Sequence, residues 1–147
     1  MRYALAIFLQ LALTPLAGAA DWIRIDIPHT DDEYFFDRSK LVVNGNSVTY
    51  WKKVRFMPPR PMKKSLASAA LMRERIDCRE HTLRLLSFLY QDAQGAMIEY
   101  VADAEKEGAP IIPDTVGDQF EQILCTFAND STTPLAPETF KIEPHAL

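Results

Sequence analysis

Apolar and polar residues alternate from Trp22 to Ile27, the period of a strand with one buried face, and Pro28 ends the run. His29 to Glu33 is polar and acidic and reads as a loop. Tyr34-Phe35-Phe36 is strand-like, and Asp37-Arg38-Ser39 reads as a turn, because Asp and Ser side chains bond the backbone two residues on. Leu41-Val42-Val43 and Ser47 to Val54 flank Asn44-Gly45, a strong hairpin signature, since both residue types tolerate positive φ. Met57 to Met62 carries three prolines and predicts a loop or extended connector, because each proline removes a ladder donor. Ser65 to Met72 is rich in Ala, Leu and Ser and predicts a short helix. A strand is expected near Arg75 to Arg79 and another from Thr82 to Tyr90. The second is apolar on both faces, which suits a central strand covered at least in part on each side. Gln91 to Gly95 is a turn and Ala96 to Ala102 a return strand.

From Thr115 to Phe127 the period changes to that of a helix. Val116, Phe120, Ile123, Leu124 and Phe127 share one face, and Thr115 with Asp118 resembles an N-cap with Pro113 just outside. At 100° per residue Cys125 falls nearly opposite that stripe. Either the helix loosens before Cys125 or it is covered on two sides. The pattern predicts an α+β fold: about six antiparallel strands and a C-terminal helix. From Asn129 onward Ser, Thr and Pro dominate, so 131–147 reads as a loosely held tail in which Phe140 and Ile142 can dock.

The first 20 residues read as a secretory leader. Arg2 supplies the positive start, Ala4 to Leu13 is apolar except for Gln10, and small residues precede Asp21, with cleavage expected after Ala20. Leu16-Ala17-Gly18 is followed by Ala19 and not by Cys, so no lipid anchor is expected. The exported chain, periplasmic or secreted, is then a single domain over 21–130. No later stretch approaches the length of a membrane span.

Composition narrows the function classes. The chain is 48% hydrophobic and 24% charged, ordinary for a globular domain, with net charge -4. That balance argues against a general nucleic-acid binder. Cys78 and Cys125 are the only cysteines, and in an oxidising compartment an even count favours pairing. The bond would stabilise the fold by roughly 4 kcal/mol in the chain-entropy model; two free buried thiols are the alternative. The histidines, His29, His81 and His145, lie at no metal-ligand spacing, and no phosphate loop or nucleophile elbow is present. No catalytic, cofactor-binding or metal-ligating set is identified.

Charge is segregated along the chain. Lys52, Lys53, Arg55, Arg60, Lys63 and Lys64 fall within 13 residues that contain no acid, whereas Glu99 to Glu121 holds seven acids and only Lys106 as a base. One reading is solvated charge that guards a sheet edge. The other is a basic surface around Trp51 that docks an acidic partner, with Trp51, Phe56 and Met57 as apolar anchors or as core.

The order of landmarks resembles the surface-adhesin protein E-like family of small exported bacterial proteins. The residues that carry it are Trp22, Tyr34 with Asp37, Val48-Thr49-Tyr50-Trp51-Lys52, Ile76-Asp77-Cys78, Leu83 to Tyr90, Gly95, Ile112-Pro113 and Cys125. The resemblance implies an antiparallel sheet with a C-terminal helix fastened by a Cys78–Cys125 bond. The family's namesake is an adhesin for host matrix proteins, so a non-enzymatic binding protein is implied. Its partner would be a host-matrix protein or a component of the bacterial envelope. A small metal-dependent hydrolase using His29 or His81 is the weaker alternative.

Overall fold

The computed structural model describes residues 19–129. The expected tail, with Phe140 and Ile142, lies outside that range, as does the expected leader up to Gly18. The chain forms β1 (Trp22–Ile25), β2 (Glu33–Asp37), a 3-10 turn (Arg38–Lys40), β3 (Val42–Asn44), β4 (Ser47–Met62), β5 (Ser65–Asp77), β6 (Thr82–Gln91), β7 (Met97–Ala102), β8 (Ala109–Pro110) and α1 (Val116–Asn129). All pairings are antiparallel. The sheet order is β1-β2-β4-β5-β6-β7, with β3 added to β4 and β8 added to β6. The expected strand count holds along the main path, and the two additions are short.

β4 is the spine. One edge takes β3 opposite 47–49 and β2 opposite 52–55, and the other edge takes β5. Its even-numbered residues Val48, Tyr50, Lys52, Val54 and Phe56 are all buried. Register places Phe36, Tyr34 and Ile25 from β2 and β1, with Glu74 and Ile76 from β5, on this same face. α1 lies here. Its Phe120, Ile123 and Leu124 pack with Ile25, Phe36, Val48, Tyr50 and Ile76 in the main core, and the Phe120 ring stacks on Tyr50 at 5.6 Å.

The helix starts where its cap says it should. Thr115 Oγ1 accepts from the Asp118 N–H at 3.4 Å, and the Thr115 carbonyl takes the first intrahelical bond from Gln119. It continues through Cys125 to Asn129, so the helix does not loosen at the cysteine. The turn between β5 and β6 covers the second flank instead. There Cys78 is joined to Cys125, and Glu121, on the same flank, is buried and meets His81 Nδ1 at 2.8 Å.

Three local expectations change. Ser65 to Met72 is strand, the first part of β5, paired with β4 on one side and partly with β6 on the other. Helix propensity amounts to tenths of a kcal/mol per residue and gives way to two ladders of hydrogen bonds. Ala67 and Ala70 are fully buried against Val54 and Phe56, so small side chains are needed there for close packing. Met57 to Met62 is not a loop but the far end of β4. β2 reaches only to Arg55, so this end is an edge, where missing proline donors cost no ladder bond. A bulge between Arg55 and Arg60 absorbs Met57-Pro58-Pro59, with a cis bond before Pro58. In the first hairpin Asn44 pairs with Ser47, so the central turn residues are Gly45 and Asn46, with Gly45 at φ +57°.

One buried polar cluster sits beneath the helix. Glu74 is 3% exposed; its Oε1 meets Lys52 Nζ at 2.5 Å, and its Oε2 accepts from the Tyr50 hydroxyl at 2.5 Å. Lys52 Nζ also lies 5.4 Å from the centre of the Phe120 ring. Truncating Lys52 alone would leave a buried carboxylate unpaired. Lys52→Ala is expected to cost about 3–5 kcal/mol in urea unfolding, and Lys52→Met with Glu74→Leu much less.

Burial first, then the Glu74 carboxylate and its hydrogen bond, push the Tyr50 phenol well above its ordinary value near 10. The folded state therefore favours the neutral phenol. This stabilisation is complete below about pH 10, where the unfolded phenol titrates, and is lost as pH climbs toward the folded value. The Tyr50→Phe variant should lose stability less steeply than its parent between about pH 10 and 12, measured by urea midpoints across that window.

Candidate binding face

Because α1 covers one face of the sheet, the odd-numbered residues of β4 point the other way. Thr49, Trp51, Lys53 and Arg55 lie on this open face. The pairings Trp51↔Arg73, Thr49↔Arg75, Lys53↔Leu71 and Lys53↔Phe35 extend it into β5 and β2, and Trp22 and Arg24 extend it into β1. The centre of the face is Trp51, half-buried, with Arg73 directly across from it.

The cations here fall into two groups. Arg24 and Arg55 share Glu33, at 2.9 and 2.8 Å. Lys53 has aromatic neighbours: its Nζ is 4.9 Å from the Trp22 ring centre and 5.4 Å from that of Phe35. Arg75 donates to Thr49 Oγ1 at 3.2 Å, and Arg73 is exposed. Among the described residues, Lys53, Arg73 and Arg75 have no carboxylate partner. A solvated cation with no internal carboxylate keeps its full charge for an approaching anion.

The contiguous basic run of the sequence is thus divided among three places. Trp51, Lys53 and Arg55 reach the open face. Lys52 does not: the strand period turns it under α1, where Glu74 neutralises it, so it is not part of a docking surface. Arg60 pairs with Asp32, and Lys63 pairs with Glu99 at 2.9 Å, both on the outlying β4–β5 hairpin. Lys64 stands exposed at the hairpin tip. Phe56 is core, stacked near Tyr90, while Met57 is exposed. Sequence reasoning missed Arg73 and Arg75 because they lie beyond the basic run. Reading 65–77 as a strand would have found them, since alternate residues share a face.

Away from this face, a cleft of about 410 Å³ lies beside the disulfide, lined by residues that include Asn46, Arg79, His81, Asp118, Glu121 and Gln122. Of its titratable groups, His81 meets Glu121, Asp118 accepts from the Asp114 N–H and the Gln122 amide, and Arg79 lies 3.8 Å from Glu80. His29 stands exposed in the loop before β2. Among the described residues no three His, Cys, Asp or Glu side chains come together to hold a metal, and no helix is long and apolar enough to cross a membrane.

The profile of the family described as Surface-adhesin protein E matches residues 22–126. No curated protein matches the chain. Among solved structures, protein E from non-typeable Haemophilus influenzae is similar at 18% identity, with 80% of this chain and 83% of that chain covered and a TM-score of 0.54. A second crystal form of Haemophilus influenzae protein E gives 18% identity, 76% and 91% coverage and a TM-score of 0.55. Those likenesses carry the fold, and the profile match carries the family: this chain belongs to the surface-adhesin protein E family.

Proposed function

We propose that this chain is an exported, non-enzymatic binding protein that docks an acidic protein partner on the open face of its sheet. The observation that carries this reading is the surface around Trp51: a flat aromatic flanked by Lys53, Arg73 and Arg75, none of them neutralised by a carboxylate among the described residues. An aromatic anchor amid unpaired cations suits an acidic protein surface, which cations steer and the ring anchors. Membership in an adhesin family supports binding over catalysis. The leader-like start supports export to the periplasm or beyond. Arg55 joins the face at its rim, while on the hairpin Arg60 and Lys63 are paired with Asp32 and Glu99 and Lys64 stands exposed.

The two adjacent lysines separate fold from function. Lys52→Glu should abolish cooperative folding, because it places two carboxylates together in the core. Lys53→Glu should keep the fold, at a cost of about 1 kcal/mol for its ring contacts, as read from urea midpoints.

Binding is tested by crosslinking in intact cells of the native host and by capture on host-matrix proteins. Lys53→Glu with Arg73→Glu should weaken capture by about tenfold or more and flatten its salt dependence. Equal capture by parent and variant would rule out the open face. A specific envelope protein in the crosslinks assigns a periplasmic accessory role; recovery outside the cell with matrix binding assigns an adhesin.

A further inference from the structure

Asp21 is held more firmly than residues near a chain start usually are. Its backbone N–H donates to Asp37 Oδ1 at 3.1 Å, and its carbonyl accepts from the Arg38 N–H at 2.9 Å. Its carboxylate pairs with the Arg38 guanidinium at 2.6 Å. The residues just before it are different. Ala19 and Ala20 are exposed and belong to no helix or strand.

Asp37 is the unusual member of this group. It is 3% exposed. Its Oδ1 accepts from the Ser39 N–H at 3.0 Å and from the Ser39 hydroxyl at 2.6 Å as well as from Asp21. Yet among the described residues no Lys, Arg or His pairs with it. Buried carboxylates are ordinarily neutralised, because hydrogen bonds alone recover only part of their lost hydration. The adjacent Arg38 is committed to Asp21.

We infer that the Ala20–Asp21 bond is the processing site and that the α-ammonium released on Asp21 is the cation partner of Asp37. Hydrolysis by a leader peptidase adds one water across the peptide bond. Ala20 leaves as a carboxylate, and Asp21 keeps the amine, which binds a proton near neutral pH. That nitrogen is the atom already 3.1 Å from Oδ1. Cleavage therefore turns a neutral N–H donor into a charged one, which makes a stronger bond of the same geometry. Arg38 already balances the Asp21 carboxylate, so the new charge is left for Asp37.

The clasp also bears on the face described above. Trp22 is opposite Asp37 in the β1–β2 register, and its ring carries Lys53 Nζ. Fixing Asp21 fixes the edge strand that brings Trp22 to Lys53. The processing step rests on the export reading, whereas the ammonium–carboxylate pair is tested in purified protein and stands or falls apart from any partner.

The experiment compares the chain that begins at Asp21 with its N-acetylated form, in the parent and in Asp37→Asn. Acetylation removes the charge and leaves the N–H. It should lower Tm by about 3 °C or more in the parent and have little effect in Asp37→Asn. A chain that retains Ala20 moves the ammonium by one residue and should behave like the acetylated form, which serves if Asp37→Asn does not fold. An unchanged Tm on both acetylation and Ala20 retention overturns the ion pair, as does an equal loss in Asp37→Asn. The intact mass of the protein recovered from the native host should correspond to a start at Asp21. Any other start overturns the processing assignment.

Discussion

Strand β4 has three partners, and the alternation of its side chains assigns much of the molecule to one of two environments. Its even residues from Val48 to Phe56 are buried: Val48 and Tyr50 pack under α1, and Val54 and Phe56 pack in a second cluster with Ala67 and Ala70. Its odd residues are left to the other face. A strand has a strict period of two, so a shift of one residue would exchange the two sets completely. That constraint fixes the register of β2 and β5 on either side, and through them the positions of Phe36, Glu74 and Ile76 beneath the helix.

The cost of this arrangement falls at Lys52. The core needs a residue at that position, and lysine fills it with a methylene stem but brings an ammonium with it. Glu74 and Tyr50 resolve the problem by closing a hydrogen-bonded cluster under Phe120. A buried ion pair adds little net stability over a well-packed apolar pair, but breaking it is expensive. Its effect is to make one seating of α1 acceptable, the one in which Phe120 lies over both Tyr50 and the lysine. The Cys78–Cys125 bond holds the opposite flank of the same helix, so α1 is fixed on two sides by unlike forces.

With one face committed to the helix, the open face is the surface to which the proposed binding is assigned. It is the face of a sheet, which suits a macromolecule better than a small ligand. In the disulfide-side cleft His81 and Asp118 already have partners, in Glu121 and in the Asp114 N–H and Gln122 amide. The charge segregation of the sequence is partly undone by folding: Lys52, Arg55, Arg60 and Lys63 each meet a carboxylate, those of Glu74, Glu33, Asp32 and Glu99.

Much of the architecture was determined by the sequence itself. The first hairpin, the strand from Thr82, the capped helix with its apolar stripe, and the partnership of the two cysteines all follow from short-range period, turn chemistry and compartment. So did the presence of a basic, aromatic segment around Trp51. Tertiary structure alone decided the rest. Ser65 to Met72 has the composition of a helix, and pairing with β4, joined by β6 from Ala69 onward, makes it a strand. The prolines from 58 to 61 are tolerated because β2 stops at Arg55, which no local pattern states. Lys52 and Lys53 are the same residue type side by side, and their opposite fates depend on which face α1 covers. Arg73 and Arg75 join Trp51 only through register across β4 and β5. Local interactions act over a few residues and can be read in order along the chain. Burial, ion pairing and the composition of a face depend on residues brought together from far apart, and those appear only once the sheet has closed on its helix.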